Sequence, residues 1–159
     1  MKKFQQFYID NGEKLFGYLL RKIGDRQQAA DLLQETFTRY LEKYRSQELS
    51  VALLFTISRN LFYDQLRYDR RWVHSENTDV ESTADQEKEY LVKETFAGVF
   101  AALQLLDEEE RDILALVVSS GLSYREIAEI RQCSVANIKV KVHRARLKLK
   151  NILQEKSDG

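Results

Sequence analysis

The chain has 159 residues, with 25 basic and 25 acidic side chains that give a formal net charge of zero. It contains no proline and only six glycines, which favours helices because these two residues weaken helices most. A single cysteine, Cys133, excludes an internal disulfide, and no apolar run approaches the roughly 20 residues of a membrane helix, so we expect a cytoplasmic protein without membrane insertion.

The charges are unevenly distributed along the chain. Residues 74–89 carry six acids and one lysine and are poor in apolar residues, whereas residues 139–150 carry six bases and no acid. A segment that cannot bury apolar surface stays flexible, so the acidic stretch predicts a linker. We therefore expect an all-α protein of two small helical domains, 1–72 and 88–159, joined by a flexible acidic linker over 73–87.

The first domain is predicted to contain three helices. Apolar residues recur at helical spacing from Phe4 to Ile23, and Gly24 ends the run. Asp25 is a good N-cap for a second helix, and Ser50 can cap a third. The predicted inward positions of these two helices are Ala30, Leu33, Phe37, Tyr40, Leu41 and Tyr44, and Val51, Leu54, Phe55, Leu61 and Phe62.

The outer face of the predicted second helix is acidic and carries one apolar residue. Its members are Asp31, Glu35, Thr38 and Glu42, with Leu32 beside them. An acidic face with one exposed leucine fits a protein-docking surface. It also fits an ordinary solvated helix face, which the pattern alone favours.

The predicted third helix presents polar and aromatic residues in one line opposite its core side. They are Thr56, Asn60, Tyr63 and Arg67, followed by Tyr68, Arg70, Arg71 and Trp72. Aromatic rings stack on unpaired bases while guanidinium groups hold phosphates, so the pattern fits a single-strand binding surface. An amphipathic helix with a basic, solvated end explains the same residues equally well.

The second domain begins with two predicted helices. Apolar residues from Val92 to Leu106 repeat at helical spacing and predict one helix. Asp107 followed by Glu110 is typical of a helix start and predicts the next helix. The inward residues of that helix are expected to be Ile113, Leu114, Leu116 and Val117.

A helix-turn-helix is predicted to end the second domain. Gly121 suits a helix C-terminus, and Ser123 with Glu126 forms a capping box in sequence. A short helix over 124–131 follows, and Ser134 can cap the last helix. Two helices joined by so short a turn must cross, which is the geometry of a helix-turn-helix.

The last helix combines an apolar stripe, from Val135 to Ile152, with an outer face suited to a DNA major groove. The outer residues near its N-terminus are Ala136, Asn137, Val140 and Arg144, flanked by Lys139 and Lys141. Asparagine can pair with adenine, a small apolar side chain can contact a thymine methyl group, and lysines can neutralise phosphates. The alternative is a basic amphipathic helix on a membrane surface or a protein partner, which the capping box and the short turn disfavour.

Three segments resemble bacterial sigma factors, the promoter-specificity subunits of RNA polymerase. The core-binding motif of sigma region two resembles residues 30–37, ADLLQETF. The helix of that region which melts the promoter and reads the minus-ten element resembles residues 57–67, ISRNLFYDQLR. Region four, which binds the minus-thirty-five element, resembles residues 121–146. The order and spacing of the motifs are similar to the compact extracytoplasmic-function (ECF) group.

The resemblance implies roles for individual residues. Core-polymerase binding is implied for Asp31, Leu32, Gln34, Glu35 and Thr38, so the acidic face is now interpreted as an interface. The implied minus-ten DNA contacts are Thr56, Asn60, Tyr63, Asp64, Arg67, Arg70 and Arg71. The implied minus-thirty-five contacts are Arg125, Ala136, Asn137, Lys139, Val140, Lys141 and Arg144. The connection over 45–50 corresponds to the family's loop that captures a flipped base.

The chain departs from the usual family pattern on the groove-facing surface. Ala136, Asn137 and Val140 stand where Gly, Thr and Ser are common, which predicts an altered minus-thirty-five preference. Asp107 replaces the proline that commonly follows the leucine at position 106, and it can still cap the helix.

The expected function is that of a sigma factor, not an enzyme, which binds core RNA polymerase and directs promoter recognition, DNA melting and initiation. The sequence contains no phosphate-binding glycine loop, metal cluster or nucleophile–base pair, so neither cofactor nor metal is expected. The family is often held by an anti-sigma factor, which the resemblance makes a further expected partner. The alternatives are a repressor or activator that uses only the helix-turn-helix, and a protein whose basic helix binds an acidic partner.

Overall fold

The computed structural model describes residues 2–72 and 94–158, and within these ranges all the secondary structure is helical. The helices are α1 (Lys2–Ile23), α2 (Arg26–Tyr44), α3 (Val51–Trp72), α4 (Glu94–Gln104), α5 (Glu108–Ser119), α6 (Tyr124–Arg131) and α7 (Val135–Asp158). The all-α prediction is confirmed. The predicted linker, 73–87, lies outside the described residues.

Local hydrogen bonds explain where the first three helices begin and end. Gly24 adopts a φ of 79° after α1, a left-handed conformation that glycine takes without steric cost. The Asp25 side chain accepts from the backbone N–H of Gln28 at 2.8 Å and caps α2. The Ser50 hydroxyl accepts from the N–H of Leu53 at 3.2 Å and caps α3. All three predicted helix starts and stops are confirmed.

The predicted capping boxes are also present. The Asp107 carboxylate accepts from the N–H of Glu110 at 2.8 Å, and the Glu110 carboxylate accepts from the N–H of Asp107 at 3.1 Å. Ser123 and Glu126 form the same reciprocal pair at the start of α6, with both bonds at 3.1 Å. These bonds satisfy backbone donors that a helix N-terminus otherwise leaves unpaired.

The turn of the helix-turn-helix is tight. Gln132 ends α6 with a φ of 55° and a ψ of 51°, a conformation unusual for a residue other than glycine. The Ser134 hydroxyl then accepts from the N–H of Asn137 at 3.0 Å and begins α7. Cys133 is half-buried in this turn and packs against the core.

One continuous hydrophobic core runs through the helices on both sides of the predicted linker. Helix α1 packs against α2 and also against α5, while α7 packs against α4, α5 and α6. Leu15 and Leu19 of α1 and Leu116 of α5 are fully buried in this core. Because each fully buried leucine contributes about 2 kcal/mol, packing between α1 and α5 is a substantial part of the stability.

The register of α2 differs from its prediction. Ala29, Leu32 and Thr36 are buried, whereas Ala30 and Leu33 are half-buried. Helix α2 packs against both α1 and α3, so its buried stripe is wider than that of a helix with one neighbour. The expectation that Leu32 lies exposed on the outer face is therefore wrong: its relative exposure is 1%.

Most other predicted core positions agree with the structure. The following are buried: Phe37, Tyr40, Leu54, Phe55, Ile113, Leu114, Leu116, Ile138, Val142 and Ala145. The following are half-buried: Leu41, Tyr44, Val51, Leu61, Phe62, Val117, Val135, Leu149 and Ile152. Val92 lies outside the described residues. Within the described ranges, no helix combines the length and the hydropathy that crossing a membrane requires.

Candidate functional site

The acidic face of α2 is open to solvent. Asp31, Gln34, Glu35 and Thr38 are all exposed, and Leu32 beside them is not. Short-range bonds orient the two carboxylates: Asp31 accepts from the Gln27 amide at 2.9 Å, and Glu35 pairs with Arg39 at 3.3 Å. Four of the five predicted polymerase-binding side chains thus share one accessible surface.

An apolar patch adjoins this acidic face. The Gln34 amide donates to the Tyr8 hydroxyl at 3.1 Å, which connects the face to α1. There Tyr8, Ile9, Phe16 and Leu33 surround a shallow groove of about 320 Å³, and Ile9 is 68% exposed. The apolar part of this surface therefore comes from Ile9, for which no surface role was predicted, and from the half-buried Leu33, which was predicted to face inward.

The outer line of α3 is only partly accessible. Asn60, Asp64 and Arg67 are exposed, and the last two form an ion pair within the helix. Thr56 is half-buried and its hydroxyl donates to the Ala52 carbonyl at 2.8 Å. Tyr63 is half-buried for a different reason, because α5 contributes an acid beside it. The side chains of Arg70 and Arg71, at the end of α3, lie outside the described part of the chain.

The connection between α2 and α3 borders a cavity of about 510 Å³. The cavity is lined by Lys3, Phe4, Tyr40, Leu41, Arg45, Gln47, Glu48 and Leu49. The Tyr40 hydroxyl accepts from the backbone N–H of Ser50 at 2.9 Å and ties the end of this connection to α2. The segment predicted to capture a flipped base therefore has an aromatic-lined cavity beside it.

A fully buried carboxylate, Asp112 of α5, joins α1, α3 and α6. The Tyr18 hydroxyl and the Lys22 ammonium of α1 both donate to its Oδ1 at 2.6 Å. The Arg59 guanidinium of α3 donates to Oδ2 at 3.0 Å, and Arg131 of α6 donates to the same oxygen. We call these five residues the Asp112 cluster.

The charges of the Asp112 cluster shift several pKa values. Burial by itself would raise the pKa of Asp112, but the charges of Lys22 and Arg59 outweigh it and lower the pKa to about 2. Burial lowers the pKa of Lys22, and the nearby carboxylates of Asp112 and Glu108 oppose this only in part. Burial and the Asp112 charge raise the pKa of Tyr18 well above its usual value. Asp112 is therefore ionised and Tyr18 protonated throughout the physiological pH range.

Glu108 extends the cluster to Tyr63. Its carboxylate pairs with Lys22 at 2.9 Å and with Arg111 at 3.0 Å, and it accepts from the Tyr63 hydroxyl at 3.1 Å. The Lys22 ammonium also donates to the Tyr63 hydroxyl at 2.8 Å and lies 4.3 Å from the centre of that ring. Burial, followed by the Asp112 charge, raises the pKa of Tyr63. A residue predicted to contact DNA is thus engaged within the protein.

The N-terminal part of α7 presents most of the predicted duplex contacts to solvent. Exposed members of this set are Ala136, Asn137, Lys139, Val140 and Arg144, together with Arg125 on α6. Lys141 is half-buried because it forms an ion pair with Glu109 of α5. Two turns further on, Lys148 pairs with Glu110 at 3.0 Å. Two bases of this helix are therefore already neutralised by acids of α5.

Comparison with known families accounts for both halves of the chain. The family model described as "Sigma-70 region 2" matches residues 7–72, and the one described as "Sigma-70, region 4" matches residues 99–149. The ECF RNA polymerase sigma factor EcfG of Rhodopseudomonas palustris is 37% identical over 133 residues, which cover 82% of this chain and 74% of that protein. The chain belongs to the ECF sigma factor family.

Further relatives agree with this assignment. The ECF sigma factor SigM of Bacillus subtilis is 31% identical over 155 residues, covering 91% of this chain and 90% of the relative. A co-crystal structure of the sigma factor RpoE with the anti-sigma factor NepR from Bartonella quintana has a TM-score of 0.75 at 28% identity, covering 97% of this chain and 98% of that one. CnrH, in its complex with the cytosolic domain of CnrY, shares the fold at a TM-score of 0.72 and 23% identity.

The expected sigma-factor function is thereby confirmed. Sigma factors bind core RNA polymerase and promoter DNA and direct promoter-specific initiation of transcription, and this ECF sigma factor carries both the region 2 and the region 4 patterns. Within residues 2–72 and 94–158, no group of His, Cys, Asp and Glu side chains is arranged to hold a metal ion.

The Asp112 cluster was not predicted from the sequence, although the sequence holds a signal for it. Asp112 immediately precedes the buried Ile113, and Lys22 follows Tyr18 and Leu19 on the inward stripe of α1. A charged residue at a core position is costly unless it is paired, so its presence there indicates a buried partner. The sequence alone does not say which of the other helices supplies that partner.

Proposed function

We propose that this ECF sigma factor uses three separate surfaces: the α2 face docks on core RNA polymerase, the α3 face reads the unpaired minus-ten strand, and α6 with α7 reads the minus-thirty-five duplex. The division into 1–72, a linker over 73–87, and 88–159 separates the first two surfaces from the third. The single observation that carries the proposal is that each of the two matched regions exposes polar side chains of the type that its proposed binding task requires.

The docking surface consists of Asp31, Gln34, Glu35 and Thr38, with the apolar patch around Ile9 at its edge. Carboxylates and an amide on one exposed helix face suit a basic partner surface. An exposed isoleucine beside them supplies the apolar area that an interface core requires. The Leu32 side chain is buried, so it contributes to polymerase binding only by holding α2 in position through packing.

The minus-ten surface consists of exposed polar residues on α3 and the ring of Tyr63. This ring becomes available to DNA once α5 no longer contacts it. Asn60 and Asp64 can hydrogen-bond to base edges, and Arg67, with Arg70 and Arg71 further along, can hold phosphates. Tyr63 supplies a stacking platform, while Thr56 orients the start of this face. A flipped base enters the cavity beside the 45–50 connection. Capture of the unpaired strand then drives melting without nucleotide hydrolysis.

The minus-thirty-five surface divides into base-reading and phosphate-binding residues. Asn137 can form the bidentate pair with adenine, while Ala136 and Val140, which is 47% exposed, can contact thymine methyl groups. Lys139, Lys141 and Arg144, with Arg125 on α6, neutralise phosphates and set the register on the duplex.

Three further assignments complete the proposal. The protein acts as a specificity subunit and not as an enzyme, and it works in the cytoplasm, where the polymerase is found. It needs no cofactor, because base contacts and strand capture supply the free energy. An anti-sigma factor is its expected regulator, since the similar RpoE structure is a complex with the anti-sigma factor NepR.

The test is reconstituted transcription from a randomised promoter library. The protein is mixed with core RNA polymerase, and transcripts are sequenced to recover the promoters that were used. We expect initiation from one promoter class with conserved minus-thirty-five and minus-ten elements, and background levels with core polymerase alone. Transcripts without any shared element, or none above background, would refute the proposal.

A further inference from the structure

The carboxylate of Glu109, at the start of α5, is shared by two bases that differ in burial. Arg131 of α6 donates to its Oε1 at 3.1 Å, and the Lys141 ammonium of α7 donates to the same oxygen. The Arg131 side chain is only 4% exposed and is also bound to Asp112, whereas the Lys141 side chain is 34% exposed. Arg131 is therefore a fixed partner of Glu109, and Lys141 is a partner that can leave.

The surroundings of Lys141 repel a DNA phosphate. A cavity of about 170 Å³ lies between the start of α5 and α7, and it is lined by Asp107, Glu109, Glu110, Ile113, Lys141 and Arg144. Three of these six residues are acidic, and like charges repel. A phosphate is thus disfavoured where the Lys141 ammonium lies, so Lys141 must leave Glu109 in order to bind the DNA backbone.

Glu109 carries its negative charge while it holds Lys141. The hydrogen bond from Lys141 lowers the pKa of the Glu109 carboxyl below its usual value, and the slight burial of the group opposes this. The carboxylate is therefore ionised at neutral pH. It offers Lys141 an anionic oxygen, as a DNA phosphate does, so the two acceptors compete for one ammonium group.

We propose that Glu109 is an internal competitor of the DNA phosphates and sets how tightly region 4 holds a duplex. Lys141 exchanges between Glu109 and the DNA backbone, and Arg131 keeps its bond to Glu109 when Lys141 leaves, so the exchange strands no unpaired acid. The inference rests on the proposed role of Lys141 in binding phosphate. It adds a residue that weakens duplex binding without contacting DNA.

The competition should act equally on every DNA sequence. Phosphate contacts carry no sequence information, whereas base contacts distinguish one sequence from another. Glu109 competes for a phosphate-binding side chain, so it should lower the affinity for a promoter and for unrelated duplex by the same factor. Because non-specific sites greatly outnumber promoters, a weaker hold on arbitrary duplex leaves more of the protein free to find polymerase.

The neighbouring residue supplies a matched control. Glu110 pairs with Lys148, which lies two turns beyond Lys141 on α7 and outside the proposed duplex contacts. Glu110→Gln removes the same charge one position away and leaves the Glu109–Lys141 pair in place. Glutamine also serves at this position of a capping box, so the start of α5 is retained.

The experiment titrates the full chain against two fluorescent duplexes, one carrying the minus-thirty-five element recovered from the promoter library and one with that element scrambled. Glu109→Gln should bind both about threefold more tightly than the wild type, because it releases an exposed ion pair. The ratio of the two affinities should not change. Glu110→Gln should bind both duplexes as the wild type does. An equal gain in Glu110→Gln, or a gain on one duplex only, overturns the proposal.

A second comparison identifies Lys141 as the group for which Glu109 competes. In a Lys141→Ala background, Glu109→Gln should give no gain in affinity, because the side chain to be released is absent. A gain that persists there would show a general effect of charge and refute the exchange. Failure of the proposed function is distinguishable: the wild type would then bind the two duplexes equally, while the effect of Glu109 would still be measured on the scrambled one.

Discussion

The α2 and α3 faces of region 2 lie on consecutive helices and are both polar, yet only the α2 face is fully open, because region 4 covers part of the α3 face. Asp31 and Glu35 on α2 contact solvent and near neighbours in their own helix, whereas Arg59 and Tyr63 on α3 bind acids of region 4. Two polar faces of the same region therefore differ in accessibility. In this structure the α2 face is available for docking, whereas these two α3 side chains are engaged by region 4.

The largest effect is expected from removal of the carboxylate at the covered face. Asp112→Asn removes the buried carboxylate that Lys22, Arg59 and Arg131 share, so the free energy of unfolding should fall by about 3–5 kcal/mol. Denaturant titration monitored by circular dichroism measures this change. The control is Asp64→Asn, which removes an exposed pair with Arg67 and should cost less than about 1 kcal/mol. Equal losses in the two variants would contradict the expected difference between the buried cluster and an exposed ion pair.

Acid should weaken the covered face in a predictable pH range. The pKa of Asp112 is lowered from 3.8 to about 2, so its stabilisation is complete above about pH 4 and is lost as the pH falls through about 2. The shift corresponds to about 2 kcal/mol. Unfolding free energies of the wild type and Asp112→Asn, measured at several pH values in this range, should therefore converge on acidification. A constant difference between them would mean that Asp112 is not the group that titrates.

Charge reversal tests the open face. Asp31→Lys and Glu35→Lys should each weaken core-polymerase binding by about tenfold, or about 1.4 kcal/mol, because they place a base opposite a basic partner. Both side chains are exposed, so the unfolding midpoint should not change. Glu155→Lys, an exposed reversal near the end of α7, is the matched control and should bind as the wild type does. Unchanged affinity in the two α2 variants would place the interface elsewhere.

The smallest effects are expected on the duplex-reading helix. Lys141→Ala should lower duplex affinity and reduce the slope of log K against log salt by about 0.9, the loss of one phosphate contact. Glu109→Gln should act in the opposite direction and raise affinity about threefold, because it releases Lys141 from its ion pair. Titrations of fluorescent duplex at several salt concentrations measure both. A Glu109→Gln variant that binds more weakly would show that the ion pair positions Lys141 for DNA.

The helix boundaries were predictable because their causes are local. Asp25 and Ser123 accept from backbone N–H groups only three residues away, so neighbouring residues suffice to mark the helix start. Burial depends instead on which helices pack together. Leu32 was assigned to the wrong side of α2 because α2 has two neighbours, α1 and α3, which widen the stripe that faces inward.

The candidate surfaces were predictable as faces, but their accessibility was not. The spacing of Asn60, Tyr63 and Arg67 establishes that they share a side of α3. The contact of Tyr63 with Glu108 joins residues 45 positions apart and depends on how region 4 packs on region 2. The exposed Ile9 was assigned to no surface for a related reason, since an apolar residue in an amphipathic helix is ordinarily expected to face the core.

The sharing of Asp112 between partners from both regions determines how the contact between the regions responds to salt. Arg131 belongs to region 4, as Asp112 itself does, while Lys22 and Arg59 belong to region 2. Glu108 is likewise shared, because it pairs with Arg111 of region 4 and with Lys22 of region 2. Salt screens buried ion pairs much less than exposed ones, so added salt should weaken the exposed Asp64–Arg67 pair while the charged contact between the regions persists.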